Sequence, residues 1–354
     1  MKPENTRGLN LPYNQYDAYW ICIVHRIPGQ SANLQKTLAD VGFKPVSGQE
    51  SMWVIQCDRA WDKSWNTIYS LIESNNQLAL VDVAVIPAVG TLRADDVNMN
   101  RKPPEVIHSI ASSLWLGEAM IDDRVRCHMQ SIIDKRGKVF GHEAFARVIG
   151  ADNKTISGGA IFSASRPLNV EYQLDRILHV QAIKTFIQSD LEGFLFVNFV
   201  PGFIHRPEKY LEGLTEAAKM YNMQAKNIVL EFTKAETPRD ALHLRGIFDY
   251  CRSKGYSVSL DDINSASAAA RIVDVIKPDF LRIDMGLVRE VQKPAELKTV
   301  RELVQLCHAS GCQVIAEGVE TEPVHKALKE ADVDLFQGYL FSQPQAAPSR
   351  KEVG

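Results

Sequence analysis

The run IVLEFTKAETPRDALHLRGIFDYCRSKGYSVSLDD, residues 228–262, decides the architecture. It opens and closes on short strand patterns, IVLEF and YSVSL. Between them RDALHLRGIFDYCRSKG carries apolar residues at helical spacing, with Gly255 where a helix C-cap belongs. A strand, a helix and a second strand in this order describe two parallel strands joined by a crossover helix. Both strands end on acids: Glu231 in the first, Asp261 and Asp262 after the second.

The same rhythm extends in both directions. RCHMQSII (126–133), KVFGHEAFA (138–146), FLFVNF (194–199), FLRID (280–284), QVIAE (313–317) and LFQGYL (335–340) read as further strands. EKYLEGLTEAAKMY and AELKTVRELVQLCHASG read as helices, the latter ending at Gly311. With the opening pair this makes eight strands, which predicts an α/β fold of the (β/α)8 TIM-like barrel type over residues 105–354, close to the roughly 250 residues such a barrel uses. The first two runs are joined only by DKRGK, too short for a crossover helix, so one strand is expected to run antiparallel.

Residues 1–104 have a different pattern. AYWICIVHRI, SMWVIQC and LALVDVAVIPA read as strands, and SANLQKTLADVG and WDKSWNTIYSLIES as helices. If FKPVS forms a hairpin with SMWVIQC, the order is βαββαβ, a small ferredoxin-like α+β domain. GTLRADDVNMNRKPPE (90–105) lacks periodicity and reads as a linker that ends where a helix begins near Glu105. Trp53, Trp61 and Trp65 read as core or interface. No cofactor motif, phosphoacceptor pocket or DNA-binding helix pair is evident, so what this domain senses, and any signalling partner it has, stays open.

Composition excludes several classes. The 354 residues are 45% apolar and 23% charged, ordinary for a globular protein. A net charge of −3, from 40 basic and 43 acidic residues, gives no global attraction to duplex nucleic acid or an anionic membrane. Any phosphate binding must therefore be local. The six cysteines form no Cys-x-x-Cys pair and no secretory signal precedes them, so a reducing cytoplasm is the expected setting. Cys307, His308 and Cys312 fall short of a zinc ligand set and read as packing. No apolar run approaches the about 18 residues of a membrane span.

The polar residues of the strands recur at one place. Glu143, Asn198, Glu231, Asp261, Asp262, Glu317 and Gln337 each lie at the carboxyl end of a strand, and in a barrel those ends meet at one face. Any one acid reads equally well as a helix cap or surface charge. Five carboxylates on one face repel unless a cation stands among them, and oxygen donors favour Mg²⁺ or Mn²⁺ over zinc. The adjacent Asp261 and Asp262 suit a pair of ions.

GHEAFAR (141–147), VNFVP (197–201), LEFT (230–233), LDD (260–262), AEGVET (316–321) and FQGYLFSQP (336–344), in that order, resemble the signature series of EAL-family cyclic di-GMP phosphodiesterases. The resemblance covers roughly residues 110–346 and implies a usually dimeric barrel that hydrolyses one ester of cyclic di-GMP to linear pGpG. It implies two Mg²⁺ or Mn²⁺ ions on Glu143, Asn198, Glu231, Asp261, Asp262 and Glu317. Gln337 then matches the glutamine that supports the site and Glu320 the second acid of the EGVE run, and Glu317 or a metal-bound hydroxide is the expected base. Arg147, one helical turn after the signature Glu143, matches an arginine whose fork pairs with phosphate. Gln130 resembles a glutamine that reaches a guanine, with Ser131 in place of the usual proline. Asp175 resembles an acid that accepts from a guanine edge, and reads equally as the cap of its helix.

The departures bear on catalysis. Arg282 stands where the family has a lysine; it keeps the charge but is broader, and is expected to engage a neighbouring carboxylate and slow hydrolysis more than binding. Ile263, Asn264, Ser265 and Ala266 replace Phe-Gly-Thr-Gly, so that loop must take a different path. Lys234 replaces a glutamate that ties the loop down. Phe145 replaces the leucine of the name-giving triplet, and IFSASRP ends in Arg166 and Pro167 where an acid is expected. The leading expectation is a slow metal-dependent phosphodiesterase in which Arg282 and Arg147 neutralise phosphate charge. The alternative is a catalytically impaired cyclic di-GMP receptor or scaffold. An enolase-like proton abstraction needs a Lys or His base at a strand end; alternation turns His142 away, and Arg282 cannot serve.

Overall fold

The computed structural model describes residues 16–26, 32–74, 76–199, 207–233 and 238–347. Val200 and Pro201 of the VNFVP run, and Lys234, lie outside the described residues. The chain forms two compact units, residues 1–124 with 148–173 and residues 125–147 with 174–354.

The first unit carries four strands, β1 (Ala18–His25), β2 (Lys44–Val46), β3 (Gln49–Asp58) and β4 (Val81–Pro87), in the order β2-β3-β1-β4. All three pairings are antiparallel, and Lys44 and Pro45 sit opposite Val54 and Trp53 as the hairpin reading requires. With helices Ala32–Asp40 and Trp61–Ser74 the order is βαββαβ, the ferredoxin-like arrangement. Trp61, Trp65, Ile68 and Ile72 recur at helical spacing and are all buried.

The 90–105 stretch differs from the linker expected of it. Ala94–Asn100 is a helix with Asp95 and Asp96 in its first turn, where the helix dipole favours acids. Its Val97 is fully buried and packs with Cys22, Val24, Met52 and Ala84. Lys102 then exchanges two backbone hydrogen bonds of 2.8 Å with Val83. One apolar residue per turn was too sparse a signal to show as periodicity. The helix expected near Glu105 is present as Pro104–Ala111, with proline in its first turn. A short strand β7 (Thr155–Ser157) also belongs to this unit.

The second unit is a closed barrel. Its strands are β5 (Val125–Asp134), β6 (Val139–Ile149), β8 (Phe194–Phe199), β9 (Ile228–Thr233), β10 (Ser257–Ile263), β11 (Phe280–Ile283), β12 (Gln313–Ala316) and β13 (Leu335–Phe336). The order runs β5-β13-β12-β11-β10-β9-β8-β6, and β6 pairs back to β5. Neighbours from β6 to β13 are parallel, while β5 is antiparallel to β13, which is the reversed strand the short DKRGK connection demanded. The last strand is shorter than the LFQGYL run. Gly338 lies so close to Val319 that a Cβ would sit 2.1 Å from its carbonyl oxygen, and the chain turns there to bond Val319 from Gln337 and Leu340. Gly255 and Gly311 have positive φ, as helix-ending glycines do.

Inside the barrel Ile132, Phe196, Val229, Phe280, Ile315 and Leu335 form one apolar layer, joined by Phe140 and Phe194. Strand residues two apart share a face. The next inward position toward the barrel mouth is therefore Asn198 after Phe196, Glu231 after Val229, Arg282 after Phe280, Glu317 after Ile315 and Gln337 after Leu335. On the reversed strand the direction inverts, so the residue above Ile132 is Gln130. A polar layer stacked on an apolar plug follows from strand periodicity alone.

Gly193 enters β8 with φ +88°, and a Cβ there would stand 2.2 Å from the Phe140 carbonyl oxygen. Gly193→Ala is expected to cost at least about 1–3 kcal/mol from backbone strain alone. Urea unfolding measures it, and an unchanged midpoint would show that β6 and β8 do not approach as closely as described.

Candidate active site

Arg282 is the centre of the polar layer. It is 1% exposed, and its guanidinium donates to Glu143 Oε2 at 2.9 Å and also to Glu231, Glu317 and Gln337. Asp261 Oδ1 stands 3.7 Å from its Nε. Gln337 accepts from Arg282 through Oε1 and donates through Nε2 to Glu143 at 2.9 Å and to Gln130 at 3.0 Å. Asn198 Nδ2 donates to the other Glu143 oxygen at 3.1 Å. Glu143, Asn198, Glu231, Asp261, Glu317 and Gln337 are thus brought together, as the strand-end reading expected, and Gln130, which that reading did not include, joins them.

The other predicted residues are placed differently. Asp262 has φ +60°, lies within the register shift of β10, and carries an exposed side chain close enough to Asp261 to raise its pKa. The left-handed residue of that turn is Asp262, and Ala266 already begins helix Ala266–Ile276. Glu320 is half-exposed and accepts from Arg289 at 2.7 Å, outside the cluster. Arg147 lies four residues along strand β6 from Glu143, not one turn along a helix. It shares the Glu143 face by strand alternation, with its guanidinium 5.8 Å from the Phe145 ring centroid. His142 points the opposite way, against Phe186. Asp175 is not a cap: it is buried inside helix Glu171–Gln188, 3.6 Å from His179, whose Nε2 is 3.2 Å from the Asn198 carbonyl oxygen.

Gln130 donates to the Ser342 carbonyl at 2.8 Å. Its neighbour Ser131 donates its backbone N–H to Ser342 Oγ at 3.1 Å, a bond that a proline there could not make. The cavity above the cluster holds about 480 Å³ and is also lined by Met285, Arg289 and Tyr339, which sequence reasoning did not single out. They follow the last residues of strands, where barrel loops build sites.

Burial dominates the titration of this layer. It pushes Asp261 up to about 6 and Glu317 to about 7, and also raises Glu231; Arg282 opposes each shift and the neighbouring acids add to it. Burial works against the charge on Arg282, but Glu143, Glu231, Glu317 and Asp261 together hold it well above the ordinary arginine value. The cluster is an excess of acid gathered on one permanent cation.

In kind, the site fits a hard divalent ion. Its donors are carboxylate and amide oxygens, the acids outnumber the one arginine, and Glu231 Oε2 is buried with no hydrogen-bond partner. Among the described residues, however, no group of three or more His, Cys, Asp or Glu side chains is set to hold an ion. The guanidinium occupies the space between them.

With the geometry in place, likeness to known proteins is informative. The EAL domain family model matches residues 114–344. The chain belongs to the EAL domain family. Among EAL relatives, the probable cyclic di-GMP phosphodiesterase PdeI of Escherichia coli is 24% identical over 67% of this chain and 32% of its own length. The uncharacterized EAL-domain protein YkuI of Bacillus subtilis is 24% identical over 66% of this chain and 58% of its own. The chain therefore spans less than two thirds of either relative. A standalone EAL protein from Vibrio cholerae O395, solved with cyclic di-GMP bound, is 29% identical with a TM-score of 0.55 over 64% of this chain and 94% of that one.

Two expectations follow. Arg282→Met removes the shared partner of four acids and should cost about 3–5 kcal/mol in metal-free buffer. The loss should be larger at pH 8 than at pH 5.5, because protonation relieves unpaired carboxylates; urea unfolding at both pH values, with no loss at either, would contradict the charge account. Asp175 has its pKa raised from 3.8 to about 6 by burial, against the pull of His179. A raised folded-state pKa gives stability that is present below pH 3.8 and lost as pH rises through about 6. Asp175→Asn should therefore gain on the wild type between pH 4 and pH 7, and a difference constant with pH would refute it.

Proposed function

We propose that this EAL barrel is a metal-dependent phosphodiesterase that opens one ester of cyclic di-GMP to give linear pGpG, slowly. The observation that carries the proposal is the layer of polar side chains at the barrel mouth, to which every barrel strand contributes one residue. Glu143, Asn198, Glu231, Asp261 and Glu317 are the oxygen donors that would hold Mg²⁺ or Mn²⁺, two ions in all, with Asp262 at the rim as an outer donor. Such ions, when bound, supply Lewis-acid activation of the phosphodiester and of the attacking water.

The chain's own residues do the rest. Arg282 and Arg147 are the cations that face phosphate oxygens. Glu317, whose side chain is 24% exposed against 1% for Glu231, is the acid of the cluster most open to the cavity and receives the proton of the attacking water. Gln337 holds Glu143 in place, and Gln130, tied to Gln337 and Ser342, positions the wall that a guanine would meet. Tyr339, 62% exposed, and Met285, 41% exposed, offer flat and apolar surfaces for a base. Glu320 acts by holding Arg289 at the cavity edge. A homodimer, and a regulatory role for residues 1–104 with a signalling partner, belong to this reading as family expectations.

Purified protein incubated with cyclic di-GMP and Mn²⁺ should yield pGpG by chromatography, and Glu143→Gln should lower the rate by at least about 100-fold. Binding in Ca²⁺ without pGpG in Mn²⁺ would overturn hydrolysis and leave a receptor. Neither binding nor product would remove the nucleotide assignment.

A further inference from the structure

Four carboxylates from four different strands meet at one guanidinium that water does not reach. Arginine has five N–H donors in a fixed fork and no acceptor, so it can bridge several acids at once in a way a lysine ammonium, a compact point charge, cannot. Those same oxygens are the hard donors that a divalent ion needs. A guanidinium and a divalent ion compete for them, because an oxygen already accepting from Arg282 has less to offer an ion and the two cations repel at contact distance. The geometry agrees: the acids lie within reach of one side chain, yet among the described residues no three of them are set around a common ion position. Glu231 has one oxygen on Arg282 and the other, Oε2, buried without a partner.

We propose that Arg282 is a built-in competitor for the metal. It holds the acid cluster in a closed, metal-free state, and divalent ions enter only as its guanidinium withdraws. The inference rests on the metal-dependent reading above and adds a regulation of that same site. Two consequences follow from the exchange. The barrel needs no metal to be stable, since the acids are already compensated. Metal affinity is weakened by the fraction of molecules in which Arg282 is engaged, so a state engaged about 99% of the time binds metal about 100-fold more weakly than the open site would. An anionic ligand that offers Arg282 another partner would then tighten metal binding by the same linkage.

The test titrates Mn²⁺ alone, without nucleotide, into the full chain by calorimetry, comparing wild type with Arg282→Lys and Arg282→Met. Both variants are expected to bind Mn²⁺ at least about tenfold more tightly than wild type. Melting curves give a second readout: at equal Mn²⁺ the wild type should gain less over its melting in EDTA than Arg282→Met gains over its own. If Arg282→Met does not fold without metal, Arg282→Lys, which keeps the charge, carries the comparison. Equal or tighter binding by wild type overturns the competition while leaving a metal-dependent enzyme intact. No Mn²⁺ binding by any of the three overturns the competition together with the metal-dependent reading beneath it.

Discussion

A barrel mouth that gathers Glu143, Glu231, Asp261 and Glu317 into a space largely closed to water can exist only if a cation stands among them, and in this chain the cation is Arg282. The arrangement of the neighbouring side chains follows. Gln337 must turn its oxygen to Arg282, which leaves its amide nitrogen to donate to Glu143 and Gln130. Gln130 then spends its own donor on the Ser342 carbonyl, and Gln345 and Met129 exchange two backbone bonds beside it. A chain of hydrogen bonds thus leads from the buried charge to the segment after the last strand.

The support beneath that layer is apolar, half of it aromatic. Phe196, Phe280 and the stacked pair Phe140 and Phe194 fill the barrel below the acids, with ring centroids 4.7 Å apart in the pair. The plug closes the barrel below the acids, and burial, with the neighbouring acids adding to it, raises the pKa values of Asp261 and Glu317. Gly141 and Gly193 let β6 approach β8 closely enough to seal the wall. Packing and charge are therefore one design: loosening the plug would hydrate the acids and weaken their hold on Arg282.

Departures from the family pattern divide by what they touch. Ser131 in place of a proline supplies an N–H that the structure uses on Ser342 Oγ. Phe145 lines the cavity beside Arg147 without entering the acid cluster. The altered 263–266 loop passes directly into a helix, and a left-handed residue stands one position earlier at Asp262, whose side chain is exposed. Among the described departures, Arg282 is the one bonded to the acids.

Period-two alternation and connection length are local properties, and so the eight strands, the reversed β5, the ferredoxin-like order of β1 to β4 and the alignment of Glu143, Asn198, Glu231, Asp261, Glu317 and Gln337 on one face could be read from the sequence by itself. The helix at Ala94–Asn100 could not, because only Val97 in it is buried. Nor could the partners at the mouth. Asp261 and Asp262 are adjacent and chemically alike, yet one joins Arg282 and the other faces solvent. Glu320, three residues from Glu317, pairs with Arg289 instead. Those choices depend on a register shift, on side-chain reach across the barrel and on which groups lose their water, quantities that exist only once strands distant in the chain are packed together.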